Sequence, residues 1–211
     1  MPTTETLLLF TGAALLLILI PGPNVVYIAT RSVSQGTRAG VASALGVETG
    51  TLVHILAASF GISALIAASS IAFDIVRYAG AAYLIYLGIR TLLAKTVAPE
   101  AGSVPRSPLG RVYASGILVN VLNVKVALFF LALLPQFVDP ARGLAVTQMI
   151  VLGLVLLALG LTFDLAWAFA AGSMSRLFVR HPHLWTRQKF VVGPIYLGLG
   201  VAAALSGSRA K

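Results

Sequence analysis

Apolar residues in this chain run in long unbroken blocks, and the charged residues are gathered in short clusters between them. The blocks span roughly residues 7–30, 39–66, 78–94, 112–138, 144–172 and 190–206. About 20 helical residues cross the roughly 30 Å of bilayer hydrocarbon, so each block is long enough for one transmembrane helix. A closed β-barrel is the other way to satisfy backbone groups in lipid, but it needs alternating strands. The run 7–20 does not alternate. The predicted fold class is therefore all-α, a polytopic membrane protein of six transmembrane helices.

Composition strengthens this picture. Of 211 residues, 58% are hydrophobic and 10% charged, with a mean hydropathy of +0.95, outside the range of an ordinary soluble domain. Cysteine is absent, which excludes disulfides, thiolate metal sites and thiol redox chemistry. The net charge of +9 has a topological origin. Ten cationic residues fall in the connections after spans 1, 3 and 5: Arg31, Arg38, Arg90, Lys95, Arg106, Arg111, Arg176, Arg180, Arg187 and Lys189. The other side carries four, Arg77, Arg142, Arg209 and Lys211. The basic loops should face the cytoplasm and both termini the outside, with lipid rather than nucleic acid as the partner. Met1-Pro2-Thr3-Thr4-Glu5 lacks the basic region of a cleavable signal, so the first block is expected to stay as a membrane helix.

The segment 98–111, with Pro99, Gly102, Pro105 and Pro108, is linker-like. As a cytoplasmic linker it divides one transporter domain, 1–211, into three-helix halves 1–97 and 112–211. Two halves with an odd number of spans insert in opposite senses, the inverted-repeat arrangement of many transporters, although the sequence shows no internal repeat. Gly36 with Gly40, and Gly46 with Gly50, are each four apart and should lie on helix faces that allow close packing. A homo-oligomer is compatible with these faces.

Several residues in the spans cost free energy to bury. Pro21-Gly22-Pro23-Asn24 sits inside span 1, where the prolines remove two backbone donors and should break the helix. A half-helix starting near Asn24 would present its positive end to an anion. Span 4 contains Asn120, Asn123 and Lys125 near its middle. A lysine at that depth costs about 2.5 to 3.5 kcal/mol and needs a partner or a wet cavity. On a regular helix Lys125 would point about 200° away from Asn123, so span 4 is expected either to be interrupted or to use two faces. Glu48 in span 2 and Asp164 in span 5 lie at similar depth and are the candidate partners, for an ammonium group or a proton. His54 is the one histidine in a predicted span and reads as a hydrogen-bonded packing residue. His181 and His183 lack the further ligands of a metal site, and Trp185 with its basic neighbours reads as an interfacial anchor. No metal site and no cofactor are expected.

Pro21-Gly22-Pro23-Asn24 followed by Gly36, Arg38 and Gly40 gives the chain a family likeness. So do Gly116-Ile117-Leu118-Val119-Asn120 through Asn123, Lys125, Phe129, Phe130, Pro135, Gln136 and Phe137, and the segment Ala81-Ala82-Tyr83-Leu84-Ile85-Tyr86-Leu87-Gly88. Over nearly its whole length the chain resembles the LysE/RhtB family of bacterial amino-acid exporters. The resemblance implies a secondary exporter of small amino-acid-like metabolites in the bacterial cytoplasmic membrane. Asn24, Asn120, Asn123 and Lys125 are then candidate substrate contacts, and Asp164 and Glu48 candidates for ammonium binding or proton coupling. One departure stands out: the family places proline between the asparagine and lysine of span 4, where this chain has Val124. A forced break is lost there, and an interruption would have to rest on other packing.

The alternatives are a divalent-cation exporter on a similar scaffold, an intramembrane hydrolase and a purely structural subunit. Divalent metals want more Asp, Glu, His or Cys ligands than the spans offer. No serine spacing supports a hydrolase built on His54. A structural subunit would have no use for Lys125, Asp164 and Glu48 far from the helix ends. No phosphate-binding loop for ATP is present, and the chain is not expected to be an enzyme.

Overall fold

The computed structural model describes residues 1–19, 21–68 and 106–173, with isolated positions between 75 and 93 and between 194 and 201. Predicted spans 3 and 6, most of the 98–111 linker and the basic loop with His181, His183 and Trp185 lie outside the described residues, apart from those isolated helical positions. Among the described residues every regular element is helical. The α-helices are α1 (Thr4–Leu19), α2 (Pro23–Gln35), α3 (Thr37–Ala68), α4 (Leu109–Val121), α5 (Val124–Leu128) and α6 (Ala145–Ser173). After α5 the chain widens into a π turn, Phe129–Leu133, and tightens into 3-10 turns at Leu134–Phe137 and Pro140–Arg142.

Within α3 the stretch Thr37–Gly61, and the whole of α6, are long and apolar enough to cross a membrane. Two bent helix pairs are long and apolar enough when each is taken together: α1 and α2 meet at 52°, and α4 meets Val124–Phe137 at 46°. The described residues thus supply two to four candidate spans. The first break follows from proline chemistry. Gly22 is extended (φ −120°, ψ −167°) and Pro23 opens α2, where its missing N–H costs nothing.

The second break forms without proline. Asn123 leaves the helical region (φ −77°, ψ 97°) and its side chain accepts the Lys125 N–H at 3.1 Å, acting as N-cap of α5. The Asn120 carbonyl, released from the regular ladder, accepts the Asn123 N–H at 2.9 Å and lies 3.0 Å from His54 Nε2. The His54 ring also stacks on Phe130. Capping and side-chain packing do here what proline would otherwise do.

One expectation needs correction. Gly36 and Gly40 do not share a helix face, because Gly36 is the single residue between α2 and α3, at φ +90°, in the left-handed region that suits glycine. The other glycine pair behaves as expected. A Cβ on Gly46 would overlap the Tyr113 carbonyl and one on Gly50 would stand 3.0 Å from the Ile117 carbonyl, so both face α4. One on Gly116 would come within 2.8 Å of the Ser43 carbonyl, so α3 and α4 pack backbone to backbone.

Among the described residues two apolar clusters are the larger ones, and a third, small one pairs Ala29 with Ala171. The larger one joins Phe10 of α1, Phe129 and Leu134 after α5, and Met149 and Leu152 of α6. The second joins Ile28, Ala44, Val47 and Ala168 across α2, α3 and α6. At one end the Met1 amino group donates to the Arg142 carbonyl at 2.8 Å, placing the N-terminus beside the turn that precedes α6. Between the clusters lies the polar centre.

Candidate functional site

Both helix breaks open onto one cavity of about 60 Å³. Gly22 and Asn24 reach it from the first break, and Asn123 and Lys125 from the second. Glu48 and Thr51 of α3, three residues apart, line it from one face of that helix, and Gly160 and Asp164 of α6 line it from another. The break at Asn123 removes the geometric conflict of a regular span 4, because Asn123 is no longer in register with Lys125.

An asparagine chain ties the two breaks together. Asn123 Nδ2 donates to Asn24 Oδ1 at 2.9 Å, and Asn24 Nδ2 donates to Asn120 Oδ1 at 3.0 Å. Asn120 in turn donates to the Val47 carbonyl at 2.6 Å and to Thr51 Oγ1 at 2.8 Å. Asn120 is fully buried, both its amide hydrogens are committed to protein, and it stands behind Asn24 rather than among the cavity's lining residues. Asn24 and Asn123 each commit one amide hydrogen in this chain, and each amide carries two. Replacing Asn123 by alanine is expected to lose the α5 cap and the bond to Asn24 together. A loss of about 2 kcal/mol follows, at about 1 kcal/mol for each contact. Thermal unfolding of the detergent-solubilised protein should show it, and an unchanged midpoint would contradict the capping role.

The charged groups line one cavity. Glu48 (7% exposed) and Asp164 (6% exposed) are both buried, and both line the cavity beside Thr51. Glu48 Oε2 is buried with no hydrogen-bond partner among the described residues. Lys125 is half-buried and lines the same cavity, with its side chain against Gly22. Gly160 makes the room for this arrangement: a Cβ there would stand 2.7 Å from Glu48 Oε1.

The structure thus gathers Asn24, Asn123, Lys125, Glu48 and Asp164 around the cavity, with Gly22 on its wall, while Asn120 supports them from outside it. Pro21 and Pro23 flank Gly22 at the break and are not among the lining residues. Thr51 and Gly160 were missed from sequence. Thr51 had a signal, its three-residue spacing from Glu48, but Gly160 is one of 20 glycines and nothing in the chain marks it.

Comparison with known proteins agrees with the likeness seen in the motifs. A family model described as LysE type translocator matches residues 15–207. An uncharacterized membrane protein of Vibrio cholerae is 31% identical over 88% of this chain and 90% of its own length. A homoserine/homoserine lactone efflux protein of Salmonella typhimurium is 30% identical over 90% of this chain and 91% of its own length. A leucine efflux protein of Salmonella choleraesuis is 30% identical over 92% of this chain and 91% of its own length. No solved structure matches the chain. With a family match that covers almost all of its residues, the chain belongs to the LysE type translocators, which are membrane transporters and not enzymes.

Proposed function

We propose that this protein exports amino acids or close derivatives across the bacterial cytoplasmic membrane in exchange for protons, holding the zwitterion between Lys125 and the Glu48–Asp164 pair. The observation that carries this proposal is the buried Oε2 of Glu48, without a hydrogen-bond partner among the described residues, on a cavity that Lys125 also lines. A group left unsatisfied at such a depth is costly unless a ligand satisfies it. An ammonium group beside Glu48 and Asp164, and a carboxylate beside Lys125, would place opposite charges in contact at both ends of one small molecule. The amide hydrogens left over on Asn24 and Asn123 are donors for the same carboxylate, and Asn120 holds Asn24 in place.

The acid pair also supplies a coupling device. Two buried carboxylates that line one small cavity can hold one proton between them. A substrate ammonium arriving from the cytoplasm takes that proton's place and the proton leaves to the cytoplasm; the substrate departs to the outside, and the pair regains a proton from there. Each cycle moves one neutral zwitterion out and one proton in.

Six spans in two inverted halves, 1–97 and 112–211, give this chemistry its frame. Both breaks lie near the middle of the first span of their half, and the second segments of both begin at the asparagine chain, as a pseudo-two-fold arrangement requires. The bond from the Met1 amino group to Arg142 supports a common side for the N-terminus and the connection before α6, the outer side on the charge count. Purified protein in vesicles, offered a panel of radiolabelled amino acids with and without a pH gradient, tests the whole proposal. Gradient-driven amino-acid flux is expected. Divalent-metal flux without amino-acid flux would favour the cation exporter instead.

A further inference from the structure

Beyond its charged groups the cavity has an apolar end. Leu17 and Ile18 close it from α1, Val126 from α5 and Leu156 from α6. Leu17, Val126 and Leu156 belong to the larger apolar cluster and Ile18 packs against it, so this wall is continuous with the rigid core. On α6 the order is regular: Asp164, then Gly160 four residues earlier, then Leu156 four earlier again, all on one helix face. The helix thus presents an acid, then a gap, then a branched aliphatic stop.

We propose that the site takes amino acids with a short, uncharged side chain, and that Leu156 sets the size limit. Two observations fix the class. The cavity of about 60 Å³ holds roughly four to six waters on the scale where one water needs about 10–15 Å³. That is enough for an amino acid near the size of alanine, and short of leucine. Among the described lining residues the apolar side chains, Leu17, Ile18, Val25, Val126 and Leu156, offer no acceptor. A second ammonium group, as on lysine, would be stranded there without a partner, since Glu48 and Asp164 are committed to the first. Leu156 is 4% exposed and stands on the same face as the acid, so its side chain meets whatever projects from the substrate's α-carbon.

This inference rests on the export proposal and deepens it. The test uses the full chain in vesicles preloaded with unlabelled alanine, following uptake of labelled glycine, alanine, valine, leucine and lysine. The wild-type protein is expected to carry alanine at least about tenfold faster than leucine, and lysine not at all. Leu156→Ala should raise the leucine-to-alanine ratio about tenfold. Leu156→Phe should move selectivity the other way, lowering alanine against glycine, and it carries the test alone if the alanine variant fails to fold. Neither variant should admit lysine. Leucine carried as fast as alanine, transport of lysine, or an unchanged order in the variants would overturn the size limit while leaving amino-acid export standing. No flux of any of the five would overturn both.

Discussion

Replacing Lys125 by methionine is expected to lower amino-acid export by about a hundredfold without lowering the amount of protein in the membrane. The magnitude follows from a charge-assisted hydrogen bond to a carboxylate, about 1.5 to 3 kcal/mol, lost in a site where no other cation stands among the described lining residues. Insertion should survive, because methionine fills a similar volume and removes the about 2.5 to 3.5 kcal/mol cost of placing a lysine at that depth. The double variant Lys125→Met with Asp164→Asn separates substrate binding from assembly. If Lys125 and Asp164 only neutralise each other, removing both restores folded yield and transport. If Lys125 holds the substrate carboxylate, the double variant stays inactive. Normal export by Lys125→Met alone would end its assignment to the site.

Glu48→Gln is expected to uncouple transport from the pH gradient. Glutamine keeps the shape and a hydrogen-bond donor for Asp164, but it carries no exchangeable carboxyl proton. The rate should fall too, because one acceptor for the ammonium is gone. The decisive quantity is the steady-state accumulation ratio, which does not depend on rate. Wild-type vesicles under a tenfold proton gradient, about 1.4 kcal/mol, are expected to accumulate substrate well above equilibrium, and Glu48→Gln vesicles to stop near equality. Gradient-driven accumulation by the variant would show that the proton moves elsewhere.

How much of this was legible in the sequence depends on how local each cause is. The first helix break was readable because Pro21 and Pro23 impose it through their own rings. The helical class was readable from the length of the apolar blocks. The break at Asn123 was harder, because its usual marker is replaced by Val124. Asparagine is a preferred N-cap, yet whether a given asparagine stops a helix depends on who takes the carbonyls it releases. Here His54 Nε2 and the Asn123 N–H meet the Asn120 carbonyl, and α3 supplies that histidine from 66 residues away. Gly36 was misplaced for a similar reason. Its four-residue spacing from Gly40 fits a helix, but a positive φ cannot be read from spacing.

The meeting of Lys125 with Glu48 and Asp164 was legible from cost, since three ionisable groups deep in lipid have few ways to be satisfied except by one another. The division of labour among the asparagines was not. Asn120 and Asn123 look alike in sequence, and only the count of their committed amide hydrogens separates a supporting group from a candidate donor. The cavity's volume is likewise a property of five helices together. Gly160 and Leu156 define it through packing that no single segment encodes.

The most direct test of the central claim is a competition experiment that asks whether one ligand must carry both charges. Labelled alanine bound to the purified protein would be challenged with unlabelled alanine, with ethylamine, which keeps the ammonium, and with propionate, which keeps the carboxylate. A zwitterion held between Lys125 and the acid pair predicts displacement by alanine alone, with each single-charge analogue weaker by at least about a hundredfold, or about 2.7 kcal/mol. Displacement by ethylamine or propionate at the concentration where alanine competes would contradict it.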